Sequence, residues 1–332
     1  MRLTLDWIRV IASGVLEWKE ENRGIRLLRT TTEQRSIYGA KIPKRTLTMA
    51  GIKLDFWSNS KTLTLGCSDI LLNPNYHCTF DVLIDGEFYS SFTICGEHPE
   101  NMDSLPSAFC HTFRIPEGEK RITVHFPAYS MRLDLVELDD GATLEPYSHR
   151  CKWIAFGDSI TEGREPMHPS NSYVCRLARR LDAEVYNQGI SGEIFRSRKL
   201  VPGTYPKCDF VTVAYGTNDF RKQSKEMVRP EATAFLSQIV EEFSDVPIFY
   251  FLPLWRKDKG QITQGRTLEE VRALLREIAE SFPQIIIIDC WDFIPHESVN
   301  FYDGYLHPND TGFAFYAENL YRALMPHLTM LY

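Results

Sequence analysis

The sequence lacks any uninterrupted apolar stretch near the roughly 18 to 20 residues that a membrane-crossing helix needs, so no spanning segment is expected. Its first ten residues, Met1 to Val10, carry a charge at Asp6 and no apolar core of the kind a secretory leader requires, so export by that route is not expected either. It lacks CxxC, HExxH and every other spacing typical of metal ligands, which argues against a metal centre. The eight cysteines, at 67, 78, 95, 110, 151, 175, 208 and 290, are scattered along the chain. They read as small buried hydrophobes of a reducing compartment, and the expected address is cytoplasmic. An excess of positive charge is missing too: the net charge is −7. Nucleic acid and an anionic membrane surface are therefore poor partners, and a neutral or cationic one is expected. Internal repeats, low-complexity segments and long charge runs are also absent.

What is present is ordinary globular composition, 43% hydrophobic and 24% charged, over a length of 332 residues that exceeds one typical core and predicts two domains. Residues 1–148 show little helical periodicity and many short alternating or β-branched runs, among them Ile52–Trp57, Thr62–Leu65, Phe80–Ile84, Ser91–Ile94, Arg121–Phe126 and Arg132–Leu138. Asp85-Gly86 reads as a hairpin turn. This spacing predicts an all-β sandwich of two sheets. Its aromatics, Trp18, Tyr38, Trp57, Tyr76, Phe80, Tyr89 and Tyr129, read as core, with a sugar-stacking platform as the alternative. The boundary falls at Pro146–Arg150, and residues 149–332 form the second domain.

From 151 the pattern becomes alternating strand and helix. Strands are predicted at Trp153–Phe156, Glu184–Tyr186, Phe210–Tyr215, Pro247–Leu252 and Ile285–Asp289, and helices at Tyr173–Leu181, Glu231–Phe243 after Pro230, Thr267–Ser281 and Thr311–Leu324. Apolar strands alternating with amphipathic helices predict a three-layer α/β/α domain around a parallel sheet. No helical pattern is expected between Phe156 and about Asn171, so Ser159 of Gly157-Asp158-Ser159 sits in a loop at the carboxyl end of a strand. In such a sheet that is the ligand-binding rim.

Three further stretches lie past strands or in a late loop: Asn187-Gln188-Gly189-Ile190-Ser191-Gly192, Gly216-Thr217-Asn218-Asp219 and Asp303-Gly304-Tyr305-Leu306-His307-Pro308-Asn309. With Gly157-Asp158-Ser159, the four blocks resemble, in order, those of the SGNH or GDSL hydrolases, across residues 151–328. The strand-rich first half resembles the jelly-roll module of two-domain members, which include carbohydrate acetyl esterases and some acyltransferases.

The resemblance implies a Ser-His-Asp triad of Ser159, His307 and Asp303, with an oxyanion hole made by the Ser159 and Gly192 backbone N–H groups and the Asn218 side chain. The chemistry suits these residue types. A serine hydroxyl needs a base within hydrogen-bond reach, and the carbonyl oxygen needs donors as it gains charge. Asp303 lies four residues before His307, where the family has three, so either one loop residue bulges out or a Ser-His dyad does the work. Asp289 and Asp292 are lesser stand-ins for it. Asp158, Gly189, Trp255 and Arg256 are candidates to line the substrate site. Glu162 and Arg164 are read as substrate contacts or solvated loop charges, Glu193 and Arg196 as a surface ion pair with the lining of the site's mouth as the alternative, and His168 and His296 as packing or surface histidines. The expected function is a serine esterase acting on short acyl esters, acetyl above all, of a small molecule or oligosaccharide. No cofactor is expected, and an oligomer remains open. An acyltransferase with the same residues and a non-catalytic carbohydrate-binding protein are the alternatives.

Overall fold

The computed structural model describes residues 1–22, 24–38, 43–71, 77–95 and 106–329, the side chains of 43, 44 and 95 excepted. The first half runs α1 (Leu5–Ile11), β1 (Ala12–Ser13), β2 (Glu17–Glu21), β3 (Gly24–Leu28), α2 (Thr32–Tyr38), α3 (Pro43–Thr46), β4 (Lys53–Ser58), β5 (Thr62–Leu71), β6 (Cys78–Ile84), β7 (Glu87–Cys95), β8 (Ala108–Arg114), β9 (Lys120–His125), β10 (Ser130–Leu138) and β11 (Glu145–Pro146). One antiparallel sheet has the order β1-β4-β9-β6-β7, with β11 beside β4, and the other the order β2-β3-β10-β5-β8. Between them lies one apolar core. Leu54, Phe56, Phe80, Val82, Ile122 and Val124 from the first sheet meet Ile25, Leu27, Leu63, Leu65, Leu133 and Val136 from the second. Each such side chain withdrawn from water contributes about 1.5–3 kcal/mol. Asp85 (φ +50°) and Gly86 (φ +87°) are both left-handed, as a two-residue turn joining β6 to β7 requires. This is the β-sandwich the strand pattern predicts.

The three helices are what the pattern missed. α1 and α2 are seven residues each and α3 four, too short for a 3.6-residue period to stand out. Of the aromatics, Phe80 and Tyr129 are core, Trp18 packs against it, Tyr89 is 44% exposed, and Tyr76 lies outside the described residues.

The second half runs β12 (Cys151–Gly157), α4 (Ser159–Glu162), α5 (Tyr173–Arg180), β13 (Ala183–Gly189), β14 (Phe210–Ala214), α6 (Asp219–Lys222), α7 (Lys225–Glu242), β15 (Ile248–Leu252), α8 (Leu268–Glu280), β16 (Ile285–Asp289) and α9 (Asp310–Leu324). The strands are parallel in the order β13-β12-β14-β15-β16. Successive strand residues point to opposite faces, and both faces are covered. Trp153, Val185 and Phe249 pack under Leu177 of α5 and Phe313 and Leu320 of α9; Ile154, Val211 and Tyr250 pack under Leu236 of α7 and Leu275 of α8. Leu328 closes onto the first of these layers. α7 starts at Lys225 and carries Pro230 inside it, six residues earlier than the proline suggests. The helix tolerates the one backbone hydrogen bond that the proline cannot make. Among the described residues no helix is long and apolar enough to cross a membrane.

Candidate active site

Because the sheet is parallel, the residues that follow its strands gather at one edge. Ser159 follows β12, Gly192 follows the neighbour β13, and Asn218 follows β14 on the other side; Trp255 and Arg256 follow β15, and Asp303 and His307 follow β16. The chain leaves β12 for β13 on one flank and later returns to place β14 on the other, and the crevice of an open sheet opens at such a reversal.

Ser159 is the first residue of α4, a single helical turn where the sequence suggests only loop. Asp158 caps it, its Oδ1 accepting from the Ile160 N–H at 2.9 Å. α4 can lie on the strand ends because Gly157 and Gly189, partners in the β12–β13 register, have no side chains. A Cβ on Gly157 would sit 2.0 Å from Thr161 Oγ1, and one on Gly189 2.3 Å from the Glu162 nitrogen. Gly189 is thus placed as a packing glycine beneath α4. Asp158 is buried and pushed up to about 6 by that burial, against the Ile160 hydrogen bond.

Ser159 Oγ lies 2.9 Å from His307 Nε2, and His307 Nδ1 lies 2.7 Å from Asp303 Oδ2. A carboxylate at Nδ1 sets the ring proton there and leaves the Nε2 lone pair for the serine hydroxyl. The extra residue before His307 is accommodated by Gly304, whose φ of +74° turns the chain around the carboxylate. Asp303 Oδ1 then accepts from the backbone N–H groups of Tyr305, Leu306 and His307 at 3.0, 2.8 and 3.1 Å. The loop is pinned at its base, with the Tyr302 N–H donating to the His307 carbonyl at 2.8 Å. Partial burial works to raise the Asp303 pKa, but the His307 contact and the backbone donors outweigh it and hold it down to about 2. Asp289 is elsewhere, paired with Arg272 and Arg276.

The 190–195 loop is tied down from three sides. Asn218 Nδ2 donates to the Glu193 carbonyl at 3.0 Å, which leaves its second amide hydrogen for another acceptor. Asp219 Oδ1 accepts from the Phe195 N–H at 3.0 Å. Gly192 is left-handed, with φ +79°. The third tie comes from Glu162, and it overturns both sequence readings of that residue. Its carboxylate is fully buried, with Oε2 accepting from the Ser191 N–H at 2.8 Å and Oε1 from Arg29 Nη2 at 2.9 Å and Thr48 Oγ1 at 2.9 Å. Arg29, equally buried, also donates to the carbonyls of Asn187 and Gly189 at 3.1 and 2.5 Å. The first half of the chain therefore supplies a support of the site. Sequence reasoning missed Arg29 and Thr48, which stand 133 and 114 positions from Glu162 and belong to no local motif.

The remaining candidates have structural partners. Arg256 is 1% exposed, with its guanidinium on Asp258 at 2.5 and 3.0 Å and on the Thr217 carbonyl at 3.0 Å, so it braces the loop before Asn218 from within. Trp255 is half-buried and stacks on His296, ring centroids 4.8 Å apart and planes 9° apart. Glu193 is buried between Lys199 and Arg196, at 3.4 and 3.6 Å, rather than at the surface. His168 Nδ1 meets Asp81 of the sandwich at 2.8 Å, which raises its pKa. Arg164 pairs with Glu165 at 2.5 Å. Among the described residues no group of three His, Cys, Asp or Glu side chains is placed to hold a metal.

A three-layer α/β domain with a Ser-His-Asp chain at its carboxyl edge, behind a β-sandwich, defines a class, and known proteins share it. Residues 155–315 match the GDSL-like lipase/acylhydrolase family. No curated protein matches in sequence. Among solved structures, the salicylyl-acyltransferase SsfX3 from a tetracycline biosynthetic pathway is similar over 96% of this chain and 95% of its own, with 21% identity and a TM-score of 0.79. A Bacteroides ovatus protein assigned as a GDSL-like lipase covers 97% of both chains with 18% identity and a TM-score of 0.78. A family two carbohydrate esterase of Clostridium thermocellum, solved with cellohexaose, covers 96% of this chain and 98% of its own with 14% identity and a TM-score of 0.66. At these identities the likeness is one of fold, and it runs through both halves.

Proposed function

We propose that the protein is a serine esterase that hydrolyses short acyl esters, acetyl in the first instance, carried by a carbohydrate or another small alcohol. The observation that carries this reading is the unbroken contact chain Ser159 Oγ, His307, Asp303. In the mechanism, His307 Nε2 takes the hydroxyl proton as Ser159 Oγ attacks the ester carbonyl carbon. The oxyanion is held by the Ser159 and Gly192 N–H groups and by the second amide hydrogen of Asn218. His307 then returns the proton to the departing alcohol. Water, deprotonated by the same Nε2, attacks the acyl-enzyme, and the carboxylic acid leaves as Ser159 regains its proton. Asp303 stays ionised and holds the imidazole in the accepting tautomer. The division of labour we infer gives residues 149–332 the chemistry and residues 1–148 the support of the 187–193 loop through Arg29.

The esterase reading is supported by the family match, and the carbohydrate reading by a similar fold that was solved on cellohexaose. The similarity to an acyltransferase across both halves supports a second reading, transfer of the acyl group to an alcohol in place of water, through the same residues. Hydrolysis of 4-nitrophenyl acetate, butyrate and octanoate by wild type beside Ser159→Ala and His307→Ala tests the first. The expected outcome is turnover of acetate and a loss of about 10³-fold or more in each variant. A wild type no faster than Ser159→Ala on every ester overturns hydrolysis, and acyl transfer or sugar binding takes its place. Adding an acceptor alcohol and measuring the share of transferred acyl group separates esterase from transferase.

A further inference from the structure

The basic side chains around the 190–193 loop fall into two kinds. Arg29, Lys199 and Arg256 each have a carboxylate partner, at 2.9, 3.4 and 2.5 Å. Arg45 and Lys222 have none among the described residues, and both are exposed. They nevertheless converge: Lys222 Nζ and Arg45 Nη1 lie 2.8 and 3.0 Å from one point, the position that a Cβ on Gly192 would occupy. Each spends one donor on the loop itself, Arg45 Nη1 on the Ser191 carbonyl at 2.6 Å and Lys222 Nζ on the Gly192 carbonyl at 2.8 Å. An ammonium has three N–H donors and a guanidinium five, so most of their capacity remains unspent.

Two like charges held against one glycine repel each other, and the carboxyl groups that act on Lys222, Asp158 first and then Glu193 and Asp219, are buried and form no ion pair with it. A bound anion would relieve that repulsion, and the planar fork of an arginine suits a carboxylate, phosphate or sulfate better than a neutral hydroxyl. The cations stand on the carbonyl side of Gly192, the residue whose N–H would hold the ester carbonyl. We propose that Arg45 and Lys222 form a subsite for an anionic group carried by the ester substrate close to its carbonyl. This rests on the esterase reading and narrows its substrate class. The anion belongs either to the acyl group, as in a dicarboxylic half-ester, or to the alcohol.

The test uses two matched pairs of esters at low salt: 4-nitrophenyl hemisuccinate against 4-nitrophenyl butyrate, and 3-acetoxybenzoate against phenyl acetate. The anionic member of one pair is expected to show a kcat/KM about tenfold higher, and the pair that shows it tells acyl from alcohol. The preference should fall as salt is added, because both cations are exposed. It should drop to about unity in the double variant Arg45→Gln, Lys222→Gln and persist in Lys222→Arg. The subsite is overturned if wild type cleaves the neutral esters with no preference in either pair, or if the double variant keeps the preference. Failure on all four esters overturns the esterase reading itself, and the subsite with it.

Discussion

Two loops at the same edge of the parallel sheet each carry a buried or half-buried aspartate, and they treat it in opposite ways. In the 303–307 loop the Asp303 carboxylate collects three backbone N–H groups on one oxygen and His307 on the other, and it is held down to about 2. In the 216–219 loop Asp219 is fully buried, held by the Phe195 N–H and its own backbone N–H, and its Oδ2 meets no donor among the described residues. Burial, with repulsion from Asp158 and Glu193 added, pushes it up to about 7. Depth does not explain the contrast by itself. What separates the two, besides depth, is the His307 contact on one oxygen and the N–H groups that the left-handed turn at Gly304 gathers on the other. One loop is built to hold a negative charge against an imidazole, the other to use a carboxyl as a tie between loops.

The sharpest way to break this contrast is Asp303→Asn. An amide in place of the carboxylate can donate to Nδ1 and favours the wrong tautomer, so kcat on 4-nitrophenyl acetate is expected to fall by about 10³–10⁴ with the circular dichroism unchanged. A loss below tenfold would mean that His307 works with Ser159 as a dyad. The next effect concerns Glu162, a third carboxylate, which is matched by a cation where Asp303 has N–H groups. Arg29→Met leaves it buried without its partner, and urea unfolding should show about 3–5 kcal/mol of lost stability. Arg29→Met with Glu162→Met should recover part of that loss, because the uncompensated charge is gone. A double variant no more stable than the single would show that Arg29 acts through its four backbone carbonyl contacts instead.

How far the sequence reads ahead of the structure differs between these same regions. Ser159, Gly192 and Asn218 each lie in a short local block behind an apolar strand and His307 in one in a late loop, and strand alternation with helices gives the common edge, since a parallel sheet sends every carboxyl end the same way. The spacing of Asp303 left two readings open, because only the turn at Gly304 decides whether a four-residue gap closes on the ring. Arg29, Thr48 and Arg45 could not be found, since their partners lie more than a hundred positions away and their own surroundings are loops and short helices. The polar positions of β4 show a further limit of local pattern: Lys53 and Asp55 alternate with apolar residues, yet both are buried, with Asp55 held by Arg121 Nε and Nη2 at 2.7 Å each.

The smallest effect is also the one in which the two aspartates differ in sign. A carboxyl held at about 7 in the folded protein and about 3.9 when unfolded binds its proton more tightly in the native state. The Asp219 contribution is therefore fully present below pH 4 and is lost as the pH rises through 7. For Asp303, held at about 2, the contribution is present above pH 4 and is lost as the pH falls toward 2. The stability of wild type minus Asp219→Asn should thus decline between about pH 4 and pH 7 and level off above, by at most about 1.4 kcal/mol per pH unit for one proton. Wild type minus Asp303→Asn should decline the other way, from about pH 5 to pH 3, and less steeply, because this side chain is 22% exposed and solvent screens it. Urea midpoints of the three proteins across that range measure both slopes. Two slopes of the same sign would show that burial alone sets these carboxyl groups, and that the turn at Gly304 does not make Asp303 a standing charge.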